Sequence, residues 1–149
     1  MEESASDKNR VTADLVGMLI YRRAVEDILE HARQEKPNEC CGFLLGRRAI
    51  VEEGVRARNV TPSPNRYQID PRDHFAVIRR TRVEGSSVVG IYHSHPTSVA
   101  IPSAVDLEQI NYTDYVYVIV SLLTTSDGAP IGAFRFVRGK FQKIDLESC

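Results

Sequence analysis

Two nearly unbroken apolar runs on either side of a short polar stretch constrain this chain most. Ser87–Tyr92 (SVVGIY) and Tyr115–Leu123 (YVYVIVSLL) are rich in β-branched and aromatic residues and carry no charge. A strand with one wet face alternates apolar with polar residues, whereas a strand covered on both faces runs apolar throughout. Between the two runs, Ser103–Asn111 reads as a helix opened by a serine N-cap. Strand, helix, strand is a βαβ unit with a parallel pair and an expected right-handed crossover. The fold class implied is α/β, with helices on both faces of a mixed central sheet.

The rest of the chain supplies the other elements. Arg22–Lys36 places Ala24, Val25, Ile28, Leu29 and Ala32 at helical spacing, and Pro37 and Asn38 end it. Cys40–Leu45 reads as a buried strand with Gly46 at its end, followed by two meander strands, Ala49–Glu53 and Val55–Val60, turned at Gly54. Asp70-Pro71-Arg72-Asp73 is a helix start, with a capping aspartate, proline at the first position and an acid in the first turn. That helix should run to about Glu84. Residues 124–128 read as a turn, and Ile131–Val137 with Phe141–Ile144 as a closing hairpin. Residues 1–14 are polar and expected to be disordered, which leaves 15–149 as one domain.

Composition excludes several classes. The net charge of −1 gives no broad electrostatic footprint for nucleic acid. No apolar run is long enough to span a membrane, and the N-terminal stretch lacks a signal-peptide core, so the expected location is the cytoplasm. Cys40 and Cys41 are adjacent and Cys149 stands alone, which is no disulfide framework. Buried, reduced strand thiols are the expectation for the adjacent pair.

The chemistry-bearing stretch begins where the first apolar run ends. His93 and His95 are two apart, so on an extended chain both imidazoles point to one side. Pro96 hinders continuation of the strand. Asp106 falls in the first turn of the helix after Ser103. Each piece has an ordinary reading: H-x-H is common, and Ser103 with Asp106 is a capping box. Together they bring two imidazoles and one carboxylate to a strand end and a helix start, the donor types that leave one position open on a catalytic zinc.

HSHP, six residues, then S-x-x-D resembles the JAMM (MPN+) signature of the JAB1/MPN/Mov34 zinc metalloproteases, and PNECCGFLLG, Pro37–Gly46, resembles that family's upstream segment. The resemblance covers about Ile20–Asp145 and is strongest to the small stand-alone prokaryotic members, which include the peptidases that act on ubiquitin-like sulfur-carrier proteins. It implies an α–β–α sandwich akin to cytidine deaminase. It also implies one Zn²⁺ held by His93, His95 and Asp106, Glu39 as acid/base, and Ser103 as a donor to the oxyanion. The implied reaction is hydrolysis of the peptide or isopeptide bond after the C-terminal glycine tail of a ubiquitin-like or sulfur-carrier protein. The run from Asp106 to the next strand is too short for the second insertion of the larger deubiquitinating relatives, and a homodimer is left open. Two other classes are weighed. A non-catalytic MPN scaffold usually lacks the ligands that stand here. A zinc nucleobase deaminase needs H-x-E and a later P-C-x-x-C, both absent.

Overall fold

The computed structural model describes residues 16–123 and 130–149. The tail expected at 1–14 and the turn expected at 124–128 lie outside the described residues. In chain order the elements are β1 (Gly17–Ile20), α1 (Arg22–Glu35), β2 (Cys41–Arg47), β3 (Ile50–Ala57), α2 (Pro71–Glu84), β4 (Ser87–His95), α3 (Ala104–Glu108), β5 (Val116–Ser121), β6 (Ile131–Val137) and β7 (Lys140–Ser148). The βαβ unit is present: β4 and β5 pair in parallel, with Tyr92 opposite Val118 and His93 opposite Ile119.

Alternation along the central strands sorts side chains onto two helix-covered faces. Leu44, Tyr92, Val116, Val118 and Val120 pack with Ala24, Ile28 and Ala32 of α1. Phe43, Leu45, Ile91 and Tyr117 pack on the other face with Val77 of α2. The start of α2 is built as its sequence indicates. Asp70 accepts a hydrogen bond from the Arg72 N–H at 2.9 Å, Pro71 takes the first helical position, and Gly85 closes the helix at φ 72°. Arg138 and Gly139 both have positive φ, 53° and 78°, the backbone of a tight two-residue hairpin between β6 and β7.

Two expectations need correction. The sheet is not the open middle layer of a sandwich but closes, in the order β1-β3-β2-β4-β5-β6-β7. Four residues of β1 make the closure, pairing in parallel with Asp145–Ser148 on one side and with Ile50 and Val51 on the other. Met18–Tyr21 reads as a short strand in the sequence, but its pairing with neighbours far away in the chain leaves no local signature, and strand twist brings the sheet ends within its reach. Second, Gly54 turns nothing: Ile50–Ala57 is one strand. Gly54 is small for packing, since a Cβ there would come within 2.9 Å of Ile28 Cγ1, so the glycine lets α1 settle on β3. Among the described residues no helix is long and apolar enough to cross a membrane.

Candidate metal centre

The last three residues of β4 carry the site. His93 and His95 project together to the α2 side, and both are buried, at 2% and 3% exposure. Ser94 points the opposite way, and its hydroxyl accepts the Cys40 N–H at 2.8 Å. The chain beyond Pro96 folds back so that the Val99 carbonyl accepts from His95 Nδ1 at 2.8 Å. That bond puts the ring proton on Nδ1 and presents Nε2 to the site.

Asp106 arrives from the first turn of α3. Ser103 Oγ accepts the Asp106 N–H at 3.1 Å, and the Ser103 N–H donates to Asp106 Oδ2 at 2.8 Å. This capping box fixes the helix start and aims the carboxylate at once. His93 Nε2 lies 3.2 Å from Asp106 Oδ1. His95 Nε2 lies 3.1 Å from Oδ2 and 3.1 Å from His93 Nε2. These three residues form the donor cluster, and neither Cys40 nor Cys41 belongs to it. Burial pushes the Cys40 thiol up to about 11, in keeping with an inert strand residue.

Electron-pair donors packed this closely require a cation among them. Without a metal, a shared proton serves. Burial pushes the Asp106 carboxyl up, but the bonds from His93 and His95 outweigh it and hold the group well below the usual carboxylate range. Burial lowers His93, whereas for His95 the Asp106 and Val99 bonds overcome burial and raise it. The donors also suit zinc, since ligands about 2.0–2.1 Å from a tetrahedral ion stand roughly 3.3 Å apart.

Glu39 precedes β2 by two residues. Cys41 pairs with His93 across the β2–β4 ladder, and the Ser94 N–H donates to the Cys40 carbonyl at 3.1 Å. The strand pair therefore carries Glu39 to the level of His95. The side chain is buried at 3% exposure, and its Oε1 has no hydrogen-bond partner among the described residues. Burial pushes the carboxyl up to about 8; His95 opposes the rise and Asp106 adds to it. A buried carboxyl with an unpaired oxygen near the His95 imidazole is a group poised to exchange a proton.

Tyr67, in the loop before α2, was not anticipated. Its ring stacks on His93 with centroids 4.5 Å apart and planes 24° apart. It also forms one wall of a cavity of about 650 Å³ lined by Ile69, His74, Phe75, Ile91 and Tyr112 among others. His74 there is structural, bracketed by the Tyr112 and Tyr115 hydroxyls at 3.0 and 3.1 Å. An isolated tyrosine in a loop carries no sequence signal of such a contact.

The model of a family described as prokaryotic homologs of the JAB domain matches residues 22–137. The chain belongs to this family. Among curated JAB relatives, the desampylase of Haloferax volcanii is 36% identical over 105 residues, 66% of this chain and 76% of the relative. The CysO-cysteine peptidase of Mycobacterium bovis is 32% identical over 106 residues, 70% of this chain and 73% of the relative. A solution structure of a protein from Desulfitobacterium hafniense superposes with TM-score 0.81 at 29% identity, covering 89% of this chain and 92% of that one. A JAB1/MPN domain protein from Archaeoglobus fulgidus, at TM-score 0.57 and 20% identity over 89% and 98% of the two chains, shares the fold. The curated relatives bear the names of a desampylase and a CysO-cysteine peptidase, and the JAB domain here is a mixed α/β fold with a closed sheet.

Proposed function

We propose that this JAB domain is a zinc-dependent peptidase or isopeptidase. It hydrolyses the bond after the C-terminal glycine tail of a ubiquitin-like or sulfur-carrier protein. The observation that supports this most is the meeting of three buried donors, His93, His95 and Asp106, with a buried carboxyl, Glu39, that has an unpaired oxygen. The substrate class follows the names of the relatives, a desampylase and a CysO-cysteine peptidase.

In this reading one zinc is held by His93 Nε2, His95 Nε2 and an Asp106 oxygen. When bound, it supplies Lewis acidity, polarising the scissile carbonyl and lowering the pKa of a bound water to about 7. Glu39, as the carboxylate, takes a proton from the attacking water at its Oε1 and returns it to the leaving nitrogen. Ser103 Oγ accepts the Asp106 N–H, and its own proton stays available to donate to the oxyanion. Capping and catalysis thus use different parts of one hydroxyl. Burial of His93, His95, Asp106 and Glu39 keeps bulk water from competing for their contacts, whereas Ser103 lies exposed at the rim.

The experiment is incubation with a carrier protein fused through its C-terminal glycines to a reporter, with and without chelator. Zinc near one equivalent and chelator-sensitive release of the reporter is the expected result. A protein that holds no zinc and leaves the fusion intact would favour the scaffold reading instead.

A further inference from the structure

Both backbone polar groups of Glu39 bond to one loop rather than to the sheet. The Glu39 N–H donates to the Ser63 carbonyl at 2.8 Å, and Asn59 Nδ2 donates to the Glu39 carbonyl at 3.1 Å. The same carboxamide makes three more bonds. Nδ2 also donates to the Arg66 carbonyl at 3.2 Å, and Oδ1 accepts the N–H groups of Thr61 and Gln68 at 3.0 and 2.9 Å. Two carbonyls face the nitrogen and two N–H groups face the oxygen, so its partners fix the orientation of the amide.

Arg66 and Gln68 flank Tyr67, the residue whose ring lies on His93. His93 Nδ1 has no hydrogen-bond partner among the described residues. A metal-ligating histidine is ordinarily oriented by a hydrogen bond from its second ring nitrogen. His95 has that bond, to Val99. His93 has the face of Tyr67 in its place.

We infer that Asn59 is a positioning residue that sets Glu39 and His93 relative to each other. It acts on Glu39 through that residue's carbonyl and on His93 through the segment carrying Tyr67. The inference rests on the zinc peptidase reading above, with Glu39 as acid/base and His93 as ligand. It adds one polar side chain, outside the donor set, on which both depend.

The test uses the full chain with two readouts: zinc affinity by chelator competition, and kcat and KM on the carrier fusion at saturating zinc. Asn59→Ala should weaken zinc and lower kcat, each about 10–100-fold, the range for loss of an outer partner of a metal site. KM should stay within about twofold, because substrate binding is not what Asn59 sets. Tyr67→Leu should weaken zinc to a similar degree. Asn59→Asp keeps an acceptor for the Thr61 and Gln68 N–H groups but turns the donor facing Glu39 into an acceptor; it should lower kcat and carries the test if Asn59→Ala does not fold. Thr61→Val is the control. It removes only the hydroxyl contact to Gln68 Oε1 at 3.0 Å, and activity should persist even where melting shifts. Wild-type zinc affinity and kcat in Asn59→Ala and Asn59→Asp would overturn the inference and leave Asn59 a loop staple. Weakened zinc in Asn59→Ala, with no cleavage by the wild type, would uphold the positioning and sink the peptidase reading. A wild type that binds no zinc overturns both.

Discussion

Replacing Glu39 by glutamine should make the metal-free protein more stable while removing its activity. The carboxyl is buried with an unpaired oxygen, and burial pushes its pKa from 4.5 to about 8. A carboxyl raised on folding favours the folded state most below the unfolded value, and that contribution is lost as pH rises through the folded value. The relevant window is therefore from about 4.5 to about 8. Near pH 7 the unfolded chain is ionised and the folded carboxyl largely is not, which at about 1.4 kcal/mol per pKa unit sets an upper figure of about 3 kcal/mol. Water at the mouth of the site screens part of this, leaving about 1–2 kcal/mol. A carboxamide has nearly the same shape and no charge to bury. Chelated Glu39→Gln should thus melt about 2–8 °C above chelated wild type near pH 7, with the gap closing toward about pH 5. Turnover of the zinc form should fall by about 10²–10⁴. The measurement is a melting series against pH on both chelated proteins. Identical melting of the two across that window would show that Glu39 is neither buried nor unpaired, and the acid/base argument would fail with it.

Other substitutions separate the remaining roles. Asp106→Ala should lose zinc by elemental analysis and, through the lost capping box, about 1 kcal/mol of stability; a full equivalent of zinc would count against ligation. Ser103→Ala should retain zinc and slow cleavage by about 10²–10³; a lowered melting temperature alone would leave it a helix cap. Gly42→Ala tests the core behind the site, because its Cβ would overlap Tyr92 Cε1. Displacing that ring breaks the Tyr92 hydroxyl bond to His31 Nδ1 at 2.7 Å, and urea titration should show a loss of about 1–3 kcal/mol; a neutral substitution would mean that the Tyr92 environment is loose.

What could be read in advance was what is local. The apolar runs of β4 and β5, the Asp70-Pro71 helix start and the H-x-H pair all declare themselves within a few residues, because period, capping and strand alternation act at that range. The approach of Glu39 to His95 does not. It depends on antiparallel pairing of β2 with β4, and only the resemblance of PNECCGFLLG to a known segment indicated it. Gly54 was misread because a glycine chosen for a close contact and one chosen for a turn look alike in sequence. Asn59 and Tyr67 escaped for a related reason. A single amide that bonds four backbone groups, and a ring laid on an imidazole, are properties of a folded loop and not of any spacing.

The seam where Gly17–Ile20 meets Asp145–Ser148 has a bearing on how the molecule is made. Its two sides are separated by more than a hundred residues, so a ribosome must release nearly everything described before the ring can shut. Until then the free borders of β1 and β7 are exposed to other nascent chains, and a product clipped before Asp145 would keep every residue of the proposed centre yet leave those borders open to sticking.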